Sequence, residues 1–571
     1  MTEKSSSNVA EWMPELRFRE QDGATLWFHD QIHHNPPATP MEASIVYAWT
    51  RGTQVASEWI QFPYSRGFQM IINDGRLYPS IIPITDPEEI KAREAKFGPK
   101  LMETLDNWDE FYAELVTEWT NMLNYLKGME KEALPLDRLL PVLRDAENTY
   151  KRTWELHFIG MYPCIASYMT FEQECQKYNI NERDMRVFLQ GYDTIMFELD
   201  RALWKLADLA QELKVTDVFE RADKPEDVEK LMNETSLGQV WWTQLQNFLK
   251  EYGRRSTAAV LGFYYKTWSE DPYPVLSTIK TYIQKGGFDF EEHSKKLIEE
   301  RERLIANTIA SIPADEKDSF VQALRHAQAA YPYNEDHNYY CEQWCSAEIR
   351  YVIMECGNRL VKYGVIKESD DVFFLTISEL KEFFENIIAN EKIGLQFYGP
   401  RINYMIYDRK KFWVDMREVK NAPFIGTVPE SSGVDPVYLK VWGLTEEVIR
   451  GGVNRKDHEG DRFEGFPGSP GFVEGNARVI FGDNDFHTVQ PGEILVAPFT
   501  NPSWTPLFSK IKGVCTDSGG MLAHAAICAR EYDIPAVVGT ITRGVRVTEH
   551  IKTGDRVRID GTNGVVEILR D

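Results

Sequence analysis

The chain has no run of about 18 apolar residues that would cross a bilayer, and its first residues, Met1 to Ser7, lack the apolar stretch of a secretion signal. A cytoplasmic location is expected. Base is scarce relative to acid: 64 Lys and Arg stand against 88 Asp and Glu, for a net charge of −24. A surface of that sign repels nucleic-acid phosphates and anionic lipid unless basic residues cluster, and no cluster stands out, so neither nucleic acid nor membrane is expected as a partner. Cysteine is sparse and odd in number, seven in 571 residues, which argues against a disulfide framework and fits reduced thiols. Cys341 and Cys345 have no second Cys or His pair at ligand spacing, so they read as packing residues and no metal site is predicted. A glycine-rich phosphate loop is also missing.

The length suggests three to four units. Residues 1–95 carry short β-like runs, Ser44–Trp49 and Gly67–Ile72, punctuated by Pro and Gly, and include His33-His34-Asn35-Pro36-Pro37-Ala38-Thr39-Pro40, a rigid loop that either packs on its domain or touches a substrate. Over 96–400 the pattern turns helical, with amphipathic stretches at Leu105–Met129, Leu136–Leu156, Glu182–Leu213 and Val228–Tyr252. Residues 401–462, with Pro429–Pro436 and the charged stretch Gly451–Gly465, read as a connector. Residues 463–571 form the last unit. The expected fold is multidomain α+β, a large mainly helical domain followed by a small β/β/α domain.

That last unit holds the most informative stretch, Thr516–Gly539. Gly519 and Gly520 permit a tight turn, and the residues up to Arg530 are good helix formers with His524 in the first turn. Unpaired N–H groups and the helix dipole favour phosphate there, so a neutral His524 is a plausible phosphoryl acceptor. Residues 460–571 are nearly balanced in charge, with 11 basic and 14 acidic residues, which suits a surface that approaches phosphates.

Gly519, Gly520, His524-Ala525-Ala526, Ala529-Arg530-Glu531 and Ile534–Gly539 resemble the signature of the swivelling phosphohistidine domain of phosphoenolpyruvate-utilising enzymes. Gly465–Ile480, Gly492–Ala497, Thr500–Phe508 and Gly554–Val566 extend the resemblance through the domain. It implies that His524 carries the phosphoryl group and that Gly519 and Gly520 bind phosphate; Arg530, two turns on, either pairs with that phosphate as a bidentate donor or forms a salt bridge with a nearby carboxylate. Leu522 and Ala523 replace the Thr and Ser of several relatives, so control by phosphorylating that Thr is not expected.

In the helical part, Tyr252-Gly-Arg-Arg-Ser256, Trp268–Leu276, Asn334–Tyr340 and Asp370–Thr376 resemble landmarks of the rifampin phosphotransferase middle domain. Arg254, Glu270, Glu335 and Asp336 are the substrate-binding candidates by that resemblance. Glu335, Asp336 and His337 together offer a base for a hydroxyl acceptor, His337 being preferred, or else a polar cap that tethers two helices. With no ATP-grasp pattern in the sequence, the arrangement resembles the His-bearing subunit of phenylphosphate synthase. This implies a separate ATP-grasp subunit that binds ATP and Mg²⁺, and a phenolic acceptor. The alternatives are another hydroxylated acceptor such as an antibiotic, or a non-catalytic phosphocarrier.

Overall fold

The computed structural model describes residues 20–570 apart from 32, 35–36, 223–224, 256–261, 287–289, 418, 420, 429–448, 450–459, 501–503, 521–522 and 543–544. Pro429–Pro436, most of the charged stretch from Gly451, Pro36, Ser256 and Leu522 therefore lie outside the described residues.

The run Ser44–Trp49 is helical, contrary to the β reading of its Ile-Val-Tyr sequence. Pro40–Ile45 and Tyr47–Ile60 (α1) are helices because Thr39 and Glu42 form a capping box, with Pro40 in the first turn. The apolar face of α1 then packs on the 42-residue helix Leu136–Lys177 (α2), where Gly52 approaches Trp154 so closely that a Cβ would lie 2.5 Å from its carbonyl oxygen. Tertiary burial outweighs local β propensity here. Gly67–Ile72 does form a strand, within the antiparallel hairpin of β1 (Ser65–Asn73) and β2 (Arg76–Pro83).

The helical stretches are observed, but divided. Leu105–Met129 breaks at Asn107, Glu182–Leu213 breaks before Ile195–Glu212 (α3), and Val228–Tyr252 breaks before Ser236. Tyr273–Lys285 (α4), Phe290–Ser311 (α5) and Tyr333–His337 (α6) follow. After α6 the chain winds as a π-helix over Asn338–Cys345 before Ser346–Lys362 (α7), a local widening frequent at functional sites. Ile377–Ala389 (α8) and Gly399–Arg417 (α9) complete this body. Cys341 and Cys345 are free and buried in its core. Among the described residues no helix is long and apolar enough to cross a membrane.

The C-terminal domain is a mixed sheet of eight strands: β3 (Arg462–Glu464), β4 (Phe466–Ser469), β5 (Phe472–Val479), β6 (Ile494–Ala497), β7 (Gly513–Thr516), β8 (Ala536–Val538), β9 (Arg556–Asp560) and β10 (Val565–Ile568). Their spatial order is β3-β10-β9-β5-β6-β7-β8-β4. The central β5–β6, β6–β7 and β7–β8 pairs are parallel, and the flanking pairs are antiparallel. β6, β7 and β8 are buried throughout, as parallel strands covered on both faces must be. Helix α10 (His524–Glu531) lies on this sheet through Ala525, Ala526 and Ala529, whose small side chains let it approach closely. The observed architecture is the expected α+β arrangement of a large helical region followed by a small sheet domain.

Candidate active site

His524 is the first residue of α10, at the end of the loop that leaves β7. Gly519 in that loop adopts φ +123°, and a Cβ there would lie 2.9 Å from that of Ala523, so the turn presenting the histidine requires glycine. The imidazole is buried, with Phe508 packed edge-on at 5.8 Å. Its Nδ1 lies 2.8 Å from Thr500 Oγ1, and its Nε2 lies 3.1 Å from Thr505 Oγ1 and 3.0 Å from Cys528 Sγ. Burial, and then the nearby Glu335 carboxylate, push the Cys528 thiol well above its usual range. The thiol therefore keeps its proton, and both ring nitrogens are engaged by hydroxyl or thiol groups that orient the imidazole. Burial and the Arg255 guanidinium lower the His524 pKa to about 3, so the ring is neutral and nucleophilic at physiological pH.

Arg255 and Glu335 belong to the helical body, so the C-terminal domain is docked with its histidine facing that body. The Arg255 carbonyl accepts from Trp268 N at 2.8 Å, which joins the two sequence stretches Tyr252–Ser256 and Trp268–Leu276. The Arg255 guanidinium lies over the rings of Trp268 and Tyr339, and burial lowers its pKa to about 10. Glu335 on α6 is buried, and its Oε2 has no hydrogen-bond partner among the described residues. Burial, followed by the charges of Asp336 and Glu342, raises its pKa to about 8.

The remaining sequence candidates lie around this centre in different roles. Arg530 donates to the Gly468 carbonyl at 3.3 Å and lies near Tyr331 and Glu335 of the helical body. Gly520 accepts from Ala523 N and completes the turn. Asp336 accepts from Tyr112 Oη at 3.0 Å and from Ile195 N at 2.8 Å, tying α6 to the start of α3. His337 donates from Nδ1 to the Tyr333 carbonyl at 2.6 Å, and its ring packs 4.6 Å from that of His157. Burial lowers its pKa to about 4. Arg254 is paired with Glu348 at 2.5 Å, and Glu270 with Arg350 at 2.8 Å while it also accepts from Thr267 N. The structure thus brings His524 together with Arg255, places Glu335 near its neighbour Cys528, and engages Arg254, Glu270, Asp336 and His337 in framework contacts. The sequence reading did not single out Arg255, Thr500, Thr505 or Cys528.

Polar contacts hold the docked position. Tyr532, just past α10, donates to Asp200 of α3, which also accepts from Tyr282 of α4 at 2.5 Å. His293 of α5 donates from Nε2 to the Glu531 carbonyl at 2.7 Å, Arg186 donates to the Pro467 carbonyl, and Arg546 donates to the Asn421 carbonyl at 3.3 Å. Among the described residues no group of three or more His, Cys, Asp or Glu is arranged to hold a metal ion.

A helix-borne histidine on a small mixed sheet is presented to a large helical body. Residues 489–564 match the PEP-utilising enzyme mobile domain, and residues 157–335 match the rifampicin phosphotransferase fourth domain, so the chain carries both modules of the PEP-utilising phosphotransferase type. An uncharacterised phosphotransferase of Bacillus subtilis, YvkC, is 28% identical over 464 residues, covering 76% of this chain and 51% of the relative. Rifampicin phosphotransferase of Bacillus cereus is 30% identical over 338 residues, covering 56% of this chain and 34% of the relative. A chondramide synthase of Chondromyces crocatus is 28% identical over 560 residues, covering 96% of this chain and 14% of the relative. The chain therefore spans about half or less of the length of these curated relatives.

Proposed function

We propose that this chain performs the transfer half of a rifampicin phosphotransferase-type reaction, passing a phosphoryl group from His524 to the hydroxyl of an organic acceptor. The observation that carries the reading is a buried, neutral His524 beside the Arg255 cation of the helical body, with the buried Glu335 carboxyl, whose Oε2 has no hydrogen-bond partner among the described residues, acting on the adjoining Cys528 thiol. Arg255 neutralises phosphoryl charge as transfer proceeds, and Glu335 takes the acceptor proton. In the step the acceptor oxygen attacks phosphorus, the P–N bond breaks, its electron pair returns to the imidazole, and the hydroxyl proton passes to Glu335. Thr500, Thr505 and Cys528 hold the ring in one orientation, which maintains the in-line approach.

The phosphoryl group comes from ATP through an ATP-grasp unit that also binds Mg²⁺, located on another chain or elsewhere in a longer polypeptide. An antibiotic of the rifampicin type is preferred over phenol as acceptor because a helical segment matches the rifampicin phosphotransferase fourth domain and proteins of that name are among the relatives.

The test is to charge the chain with β-labelled ATP and an ATP-grasp unit, then chase separately with rifampicin and with phenol. The reading expects acid-labile label on His524 that discharges to rifampicin. Equal labelling of His524→Ala would rule out the histidine, whereas discharge to phenol alone would return the acceptor to the phenolic class.

A further inference from the structure

Helix α9 is apolar on two opposite faces. One face, Ile402, Ile406 and Trp413, is buried on the helical body, where Arg409 forks onto the Glu379 carboxylate at 2.7 and 2.8 Å. The other is bare: Ile393 and Phe397, just before the helix, are 60% and 72% exposed, and Tyr404, Tyr407 and Val414 are 72%, 71% and 51% exposed. Among the described residues no large hydrophobic side chain is more exposed than Phe397 and Tyr404. Single exposed apolar residues are ordinary, but an aromatic stripe along one helix marks a surface that another surface covers.

The spacing of the stripe identifies its occupant. The exposed positions Phe397, Pro400, Tyr404, Tyr407, Lys411 and Val414 recur at alternating steps of three and four residues, the period of a helix-pairing seam. The seam is its own complement when a second copy runs antiparallel: Phe397 faces Val414, Pro400 faces Lys411, and Tyr404 faces Tyr407, each pair occurring twice about a two-fold axis. Its flank is complementary too. Arg401 and Asp408 lie one position beyond Pro400 and Tyr407 along the same edge, so in that alignment Arg401 meets Asp408 of the second copy, and the converse. Lys411, the one charged residue in the seam, fixes the register, because it is tolerated only where the facing residue leaves its ammonium a route to water.

We propose that this face of α9 is a homodimer interface, formed by antiparallel pairing with the same helix of a second copy. The pairing does not depend on the phosphotransfer reading.

Sedimentation of the full chain between about 1 and about 100 µM tests it. The wild-type chain is expected to dimerise. Tyr404→Glu with Tyr407→Glu is expected to raise the dimer Kd at least about 100-fold with an unchanged circular dichroism spectrum. Arg401→Asp and Asp408→Arg should each weaken the dimer about tenfold, and the two together in one chain should restore it, because only a self-complementary antiparallel pairing regains both ion pairs. A monomer throughout the range, or a dimer indifferent to the two glutamates, would overturn the proposal and leave the seam to a different protein or to another segment of a longer polypeptide.

Discussion

Replacing Glu335 by Gln separates a catalytic base from a framework residue, because the two roles predict opposite signs in stability. The carboxyl is raised from an ordinary value of 4.5 to about 8 by burial and by Asp336 and Glu342. At pH 7 about a tenth of it is ionised, so transfer from charged His524 is expected to rise with pH and level off above about 8. The amide of Glu335→Gln cannot accept the proton: single-turnover transfer should fall by about 10²–10⁴-fold and lose its pH dependence. Since the folded-state value is raised, folding favours the protonated acid. Its contribution is complete below the unfolded value and is lost as pH rises through about 8, an effect on the order of 5 kcal/mol. The neutral amide avoids that loss, so the variant should melt at a higher temperature than wild type above pH 8 while being the slower enzyme. Rapid-quench transfer assays and thermal melts at several pH values read both quantities. Transfer within about threefold of wild type across the pH range, or a variant less stable than wild type at alkaline pH, would refute the assignment.

Arg255→Ala should slow discharge of phospho-His524 by about 10²–10³-fold and leave its charging rate unchanged, since Arg255 belongs to the helical body and meets His524 only in the docked position. Tyr532→Phe deletes the hydroxyl that donates to Asp200; discharge should slow about tenfold, charging should not, and Cys528 should react faster with a thiol reagent as the domain spends more time undocked. Thr500→Val removes the hydroxyl that contacts His524 Nδ1. Nitrogen NMR should then report a mixture of imidazole tautomers in place of one, with slower discharge.

What the sequence reveals of this site depends on how far each signal is local. The His524 helix is legible because a glycine turn, an alanine-rich run and the histidine at its start sit close together in the chain. Cys528 was within reach of the same reasoning, as the residue four positions on falls on the same helix face, but a cysteine there reads equally as packing. The acidic cluster on α6 is also visible, yet its division of labour is not. Three consecutive side chains on one short helix point in three directions, Asp336 to Tyr112 and the α3 N-terminus, His337 back to the Tyr333 carbonyl, and only Glu335 toward the C-terminal domain. The choice between Arg254 and Arg255 turns on a single residue of rotation, and Glu348, 94 positions away, decides it by capturing Arg254. Thr500 and Thr505, the latter opening the short helix Thr505–Phe508, precede His524 in a sequence that carries no sign of where their hydroxyls will point. The Ser44–Trp49 run misleads for the opposite reason: its β-branched residues are a local signal overruled by a capping box and a long partner helix.

The contrast between contacts within and across the domains bears on motion. Among the described residues, the apolar clusters of the C-terminal domain draw only on residues from Phe463 onward, and those of the helical body only on residues up to Ile449. None of these clusters straddles the junction. The contacts across it include hydrogen bonds from Tyr532, His293, Arg186 and Arg546, each of which water can replace when the surfaces part. A hydrophobic seam would make separation costly in proportion to its area, whereas an interface of exchangeable polar contacts lets the domain leave intact with its own core. His524 is buried in this docked position. Under the proposed phosphotransfer, charging of His524 requires undocking, and the Tyr532–Asp200 hydrogen bond is one of the contacts that oppose it.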